Sequence, residues 1–430
     1  MRTDIPSTKT SRTSHHPPTR FIHRKAENMH LTFSSSERST IGVEWELQLI
    51  DKDSNDLRQA ANAILDAPEA QVDGKLHPHI QREMLLNTIE ITSGARHTVG
   101  ECMRDITETI ELLRPVTDRL RIELGSAGTH PFASPAFQRV TDSERYAELV
   151  ERTQYWGRQM LLYGIHVHVG VESRDKVLPL QSALASRLGH MQSLAASSPF
   201  WSGRDTGYAS NRAMVFQQLP TAGIPQQFEQ WDQLEKYAAD MIRTGIIDGF
   251  DEVRWDVRPS PKLGTVENRV FDAATNATEV AALAALTHCL VEWYSRKLDA
   301  GEQIEPMPEW FVAENKWRSA RYGMEAILIL DAHGNEELVT DTVVRMLNDL
   351  EPVAKDLKCA DELASIEKIL KLGASYQRQR IVAENARHNS REAVTELLLA
   401  EMRAGRPLNP LEFLNTRSKG APSTDRDSKK

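Results

Sequence analysis

Ile41-Gly42-Val43-Glu44-Trp45-Glu46-Leu47-Gln48-Leu49-Ile50 is the stretch from which the rest of the chain is read. Apolar and branched residues alternate with polar ones at a period of two, the pattern of a strand with one buried face. Successive side chains of a strand point to opposite faces, so Val43, Trp45, Leu47 and Leu49 share one face and Glu44 and Glu46 the other. Two neighbouring carboxylates repel. A water-facing strand tolerates that, and a bound divalent cation turns it into attraction. On this strand alone, solvation is the simpler explanation.

Four more segments carry a similar pattern. Within residues 161–171, His166 and His168 share one face while Ile165, Val167 and Val169 share the other. Glu267 and Arg269 lie together on residues 264–271, and Arg254, Asp256 and Arg258 on residues 252–258. Along residues 85–92, Leu86, Thr88, Glu90 and Thr92 oppose Ile89 and Ile91. Pro259-Ser260-Pro261-Lys262-Leu263 is a turn-rich link that suits an antiparallel hairpin between the last two strands in chain order. For each segment an internal ion-pair network is a fair reading. Taken together, the strands describe a sheet with one chemical face. Carboxylates with an imidazole suit Mg²⁺ or Mn²⁺, whereas structural zinc favours cysteine or more histidine. Arginines beside them suit phosphate or carboxylate oxygens.

Helical spacing appears in residues 99–124, where Met103, Ile106, Ile110 and Leu113 recur, and in residues 273–298. The C-terminal third reads as wholly helical, with segments at 340–350, 360–372 and 390–404. The fold class expected is α+β. Residues 1–38 lack any apolar period and read as a disordered arm, residues 39–414 as a single catalytic domain, and residues 415–430 as a disordered tail. There is no phosphate loop or dinucleotide fingerprint, so a nucleotide must be held another way.

Composition narrows the function classes. With 40% hydrophobic and 26% charged residues the chain can build a sizeable core, which excludes disorder throughout. A formal net charge of −9 argues against nucleic-acid binding. No apolar run reaches the roughly 18 residues of a membrane span, and the polar N-terminus does not read as a signal peptide, so no membrane partner is expected. Cys102, Cys289 and Cys359 are odd in number and widely spaced, which fits neither a disulfide framework nor a zinc knuckle and points to a reducing cytoplasm. A homo-oligomer is compatible with the sequence.

Seven ordered segments then carry a resemblance: GVEWELQLID (42–51), IEITSG (89–94), GTHPFA (128–133), YGIHVHVGV (163–171), SSPFWSGRDTGYASNR (197–212), RPSPKLGTVENRVFD (258–272) and ENKWRSARYG (314–323). The chain resembles the bacterial glutamate–cysteine ligase type 2 (carboxylate-amine ligase) family, a relative of glutamine synthetase, over most of residues 40–400. The resemblance implies a curved antiparallel sheet with helices behind it, and with metal ions and ATP phosphates on the concave side. It implies that Glu44, Glu46, Glu90 and Glu267 ligate metal, with His166 as a further ligand and His168 near the substrate, though the two histidines can exchange these roles. Arg269 would face the transferred phosphoryl group, and Arg204, Arg212 and Arg258 would clamp an amino-acid carboxylate. Glu83 is a further candidate ligand, although its odd spacing from Glu90 puts it on the opposite face unless the chain bends. Trp45 and Asn268 depart from residues common in relatives, but both point away from the site.

The implied reaction uses ATP and Mg²⁺ (or Mn²⁺) to join L-glutamate to L-cysteine through a γ-glutamyl phosphate, giving γ-glutamylcysteine, ADP and phosphate. Alternatives are a sister ligase for another acid or amine, a binding protein without turnover, and a metal-dependent hydrolase. The hydrolase leaves the arginines beside the carboxylates unexplained. The ligase needs no enzyme nucleophile, so the cysteines are expected to be dispensable.

Overall fold

The computed structural model describes residues 30–420. Its organising element is β1 (Ile41–Asp51), whose Val43, Trp45, Leu47 and Leu49 are buried as the alternation requires. Around it lie β2 (Ile80–Arg82), β3 (Thr88–Thr92), β4 (Ile122–Gly125), β5 (Gly164–Gly170), β6 (Val257–Ser260) and β7 (Thr265–Asp272). The sheet order is β6-β7-β5-β1-β3-β2, with β4 also paired to β1, and its neighbours run antiparallel. The expected hairpin across residues 259–263 joins β6 to β7.

One face of the sheet is apolar and covered by helices, which include α1 (Val99–Arg119), α3 (Arg174–Ala195) and α4 (Ala277–Asp299). Between α1 and α3 in sequence, α2 (Glu144–Thr153) belongs to the other side of the molecule, described below. Asn268 looks into the covered side, donating from Nδ2 to Thr287 Oγ1 on α4 at 3.0 Å. Trp45 likewise turns away from the polar face and donates from Nε1 to Ser126 Oγ at 2.9 Å. Burying each large apolar side chain of this kind contributes about 1.5–3 kcal/mol, which fixes the register, because a one-residue slip would expose the whole row.

Several local expectations are corrected. The strand expected over 85–92 begins only at Thr88. The segment 252–258 breaks at Asp256: Arg254–Trp255 pairs in parallel with Ala222–Gly223, and β6 starts at Val257. Asp256 turns inward to a buried ion pair, 2.5 Å from Lys316 Nζ, leaving the face it was expected to share with Arg254 and Arg258. The helix expected to reach residue 124 stops at Arg119. Arg121 adopts a left-handed φ of 54°, and Ile122 and Leu124 then alternate along β4, a two-residue period that helical spacing had absorbed. The C-terminal third contains a hairpin of Ile327–Ile329 and Glu336–Leu338 among its helices.

Both expected boundaries fall within folded structure. Leu31 is buried, and Arg38 forms ion pairs with Glu292 at 2.9 Å and Asp299 at 2.6 Å. A helix spans Pro410–Gly420 across the boundary placed at 414. The rest of the expected arm and tail, residues 1–29 and 421–430, lies outside the described residues. Among the described residues no helix is long and apolar enough to cross a membrane.

Candidate active site

Register, more than spacing, builds the polar face. His166 on β5 lies opposite Glu44 on β1, Glu46 lies opposite Glu90 on β3, His168 lies opposite Glu267 on β7, and Glu267 lies opposite Arg258 on β6. A β-bulge interrupts the β5–β7 ladder between Asn268 and Phe271. Such a bulge re-aims side chains. Arg269 Nη1 donates to Glu267 Oε1 and comes 3.5 Å from His166 Nδ1, while Arg269 Nε is buried without a hydrogen-bond partner among the described residues.

Glu83 joins this face after all. The chain leaves β2 at Arg82, turns through 83–87 and returns as β3, so its side is set by the pairing of Gln81 with Glu90 and not by sequence spacing. Thr141 fixes the turn, donating from Oγ1 to the Glu83 carbonyl at 2.7 Å and from its N–H to the Met84 carbonyl at 2.8 Å.

The acidic groups form two clusters. Glu44, His166 and Glu267 each offer a ligand atom within 4.8 Å of the others, and so do Glu46, Glu83 and Glu90. The first cluster has cationic neighbours. Arg258 Nε donates to Glu267 Oε2 at 2.6 Å, and His168 Nε2 stands 3.3 Å from Glu44 Oε1 and 3.8 Å from Glu267 Oε1. Burial works to raise the pKa of Glu267, but Arg269, His168 and Arg258 hold it far below the usual carboxylate range. For Glu44 burial is likewise outweighed by the hydrogen bonds of His166 and His168.

The second cluster has no salt-bridge partner among the described residues. Burial, then the neighbouring Glu46, push Glu83 up to about 8, and burial with Glu44, Glu83 and Glu46 carries Glu90 well above the carboxylate range. Like charges that cannot all ionise in a low-dielectric site need protons or a cation between them.

The two histidines also differ. Burial and the nearby Arg269 lower the pKa of His166, which leaves a neutral imidazole. At His168 burial is overcome by Glu267 and Glu44, and the pKa rises. His168 Nδ1 is 2.9 Å from Thr265 Oγ1, so each of its nitrogens has a partner.

These groups line a cavity of about 310 Å³. Its other wall comes from outside the sheet: Arg145, Tyr146 and Leu149 on α2, Met160 and Leu162 before β5, Arg212, Phe216 and Leu219 beyond α3, and Arg254. Arg212 packs where Gly164 has no side chain; a Cβ there would stand 2.3 Å from Arg212 Nη2. The loop carrying Arg212 is tied to the end of β7 by buried Asp272, which accepts from Ser198 Oγ at 2.6 Å and Ser210 Oγ at 2.7 Å.

Of the expected residues, Glu44, Glu46, Glu83, Glu90, His166, Arg212, Arg258 and Arg269 line this cavity, and Glu267 and His168 sit directly behind it in contact with them. Arg204 does not. It lies exposed on the short strand Arg204–Asp205, paired with Phe200–Trp201, and is absent from the lining. Arg145 and Tyr146 escaped the sequence reading, although Tyr146, Leu149 and Val150 recur at helical spacing and mark an amphipathic helix that could have been found. A larger cavity, about 540 Å³, lies between Lys52 and the 396–417 region, and two of its three arginines, Arg403 and Arg417, are already engaged by Glu123 and Glu396.

Comparison with known proteins agrees with this architecture. The model of Glutamate-cysteine ligase family 2 matches residues 40–397. The chain is 52% identical over 382 residues to a protein from Arthrobacter sp. (strain FB24) named "Putative glutamate--cysteine ligase 2-1", covering 88% of this chain and 99% of that one. A relative of the same name from Mycolicibacterium smegmatis is 52% identical over 368 residues, covering 86% of this chain and 96% of that one. Among solved structures, the fold is similar to that of a glutamate–cysteine ligase from Francisella tularensis in complex with AMP, with a TM-score of 0.59 at 11% identity over 90% of this chain and 95% of the other. A bifunctional glutathione synthetase from Pasteurella multocida gives 0.56 at 16% identity over 85% of this chain and 52% of the other.

Proposed function

The chain belongs to glutamate–cysteine ligase family 2, and from that premise we propose that it is an ATP-dependent carboxylate–amine ligase that forms γ-glutamylcysteine. The observation that carries the reading is one cavity lined both by a cluster of carboxylates and by five arginines. A cation-bound polyphosphate and an anionic amino acid need both, and a simple hydrolase needs only the first.

The donor sets fit divalent cations. Glu46, Glu83 and Glu90 offer only oxygen and form no salt bridge among the described residues, Arg269 acting on them only from a distance, and Glu44, His166 and Glu267 make a second oxygen-rich set, so Mg²⁺ or Mn²⁺ suits both. Bound there, the metal would neutralise the carboxylates and the charge of the ATP phosphates.

In the reaction itself, an oxygen of the glutamate γ-carboxylate attacks the γ-phosphorus of ATP, and the bond to the β–γ bridging oxygen breaks to release ADP. Arg269 faces the phosphoryl oxygens, its guanidinium held in place by Glu267, which Arg258 in turn fixes. Such preorganised charge acts at the moment charge redistributes and needs no reorientation. The amine of cysteine then attacks the acyl carbon, phosphate leaves with the carbon–oxygen bonding electrons, and the nitrogen loses a proton as the amide forms. His168 acts as a positioning residue, its Nε2 standing between Glu44 at 3.3 Å and Glu267 at 3.8 Å and tying the two carboxylates together. A cytoplasmic setting suits both the thiol product and the three unpaired cysteines.

The test is ADP release by the purified chain with ATP and Mg²⁺, given glutamate, cysteine, then both, with mass spectrometry of the product. ADP that appears only with both substrates, and a product of γ-glutamylcysteine mass, is the expected outcome. ATP binding with no turnover for any amino-acid combination would overturn the ligase reading.

A further inference from the structure

Five arginines line the cavity, and they divide into two kinds. Arg258 and Arg269 are engaged by Glu267, and Arg212 is packed against Gly164 with its Nη atoms 3.3 Å from the Arg269 carbonyl. Arg145 and Arg254 form no salt bridge among the described residues, although Glu252 lies near Arg254. Arg254 donates only from Nη1 to the Glu252 carbonyl, at 2.9 Å. The two come from elements that stand off the sheet, α2 and the short strand Arg254–Trp255, yet they line the same cavity and also a smaller one beside it.

Arg254 is half-buried and Arg145 exposed at the mouth of the same cavity, and two like charges lining one cavity without a salt bridge favour an anion between them. Burial brings Arg254 down to about 10, with Arg145 adding to the effect and the charge of Glu252 opposing it. The neighbouring wall is apolar, with Leu149, Leu162, Phe216 and Leu219, which suits the methylene chain of a small amino acid. In addition, α2 buries none of its residues, so its position over the cleft is held by few contacts and can respond to a ligand.

We propose that Arg145 and Arg254 form the receptor for the non-reacting carboxylate of the acyl-donor amino acid, with Tyr146 beside them. This rests on the ligase reading. The γ-carboxyl end lies toward Arg269, and the α-carboxylate is received at the opposite wall, so these two arginines set specificity for a dicarboxylic amino acid over a monocarboxylic one. A charge-assisted fork to a carboxylate gives both affinity and orientation. The same wall would also attract a phosphate, and the experiment separates the two anions.

The full-length chain is titrated by calorimetry with L-glutamate and separately with ADP and Mg²⁺, as wild type, R145Q, R254Q and R254K. Arg145 is exposed and has no structural partner among the described residues, so R145Q is expected to keep the wild-type melting temperature. The expected result is a loss of glutamate affinity on the order of tenfold or more in R145Q and R254Q, partial recovery in R254K, and ADP affinity within about threefold of wild type. In turnover, the preference for L-glutamate over 4-aminobutyrate, which lacks the α-carboxylate, should fall by a similar factor. Unchanged glutamate affinity in R145Q, or a loss confined to ADP, overturns the assignment, as does a wild type that binds no glutamate. A wild type that binds glutamate but releases no ADP with any amine overturns the ligase reading instead, and the titrations still decide the arginines.

Discussion

His166 and Glu44 face each other across neighbouring strands with Nδ1 2.8 Å from Oε2, yet the two histidines of that strand shift in opposite directions. Burial and Arg269 lower the pKa of His166 against the pull of Glu44, which favours the neutral ring with a free lone pair; at His168 burial is overcome by Glu267 and Glu44, which favours the protonated ring. A neutral imidazole can ligate a metal, and a protonated one cannot.

The variant H166A should therefore raise the Mg²⁺ concentration needed for half-maximal activity by about 10- to 100-fold, while H168A lowers kcat with a metal requirement within a few-fold of wild type. Metal titrations of activity check this. Equal shifts in both variants would remove the distinction.

Arg269 and Glu267 act as one unit. R269K keeps the charge but loses the planar fork, and kcat should fall on the order of 100-fold with little change in melting temperature. E267Q should lose activity to a similar extent and also destabilise the chain by a few kcal/mol, because Arg269, Arg258 and His168 would be left buried without their shared counter-charge. An E267Q protein with native turnover would falsify the assignment of this pair.

The Glu46–Glu83–Glu90 cluster sets a pH dependence. With its pKa pushed from 4.5 up to about 8, Glu83 holds a proton in the folded chain over a range where the unfolded chain has lost it. The folded state binds more protons there, so the stability of the metal-free chain should fall as pH rises from about 4.5 toward 8. Mg²⁺ should raise the melting temperature more at pH 8 than at pH 5.5, and E83Q should flatten the metal-free profile. Thermal melts with and without Mg²⁺ at a series of pH values test it, and a profile independent of both sinks the idea.

Cys102, Cys289 and Cys359 are buried and none lines the cleft. Each alanine variant should keep kcat within about twofold, at a stability cost of about 1 kcal/mol for the small void left behind. Loss of turnover in any one of them, without loss of fold, would bring a thiol into the mechanism.

What the sequence determined by itself was the set of faces. Period-two alternation is local, so the chain alone specified that Glu44 and Glu46, His166 and His168, and Glu267 and Arg269 each share a side, and that Trp45 and Asn268 point away. It also specified an α+β chain of antiparallel strands and many helices, because burial periods survive in any context that has a core. Tertiary structure decided which of these faces meet and at what offset. The register that puts His166 against Glu44 and His168 against Glu267 depends on strands roughly a hundred residues apart, and nothing within either segment encodes the partner. The turn at 83–87 brought Glu83 to the site, the break at Asp256 removed a carboxylate from it, the short hairpin at 200–205 carried Arg204 away, and α2 delivered Arg145 and Tyr146, whose helical period says nothing of the cleft it meets. Each is a change of chain direction fixed by long-range hydrogen bonds and packing, and a residue's place after such a change is independent of the alternation before it.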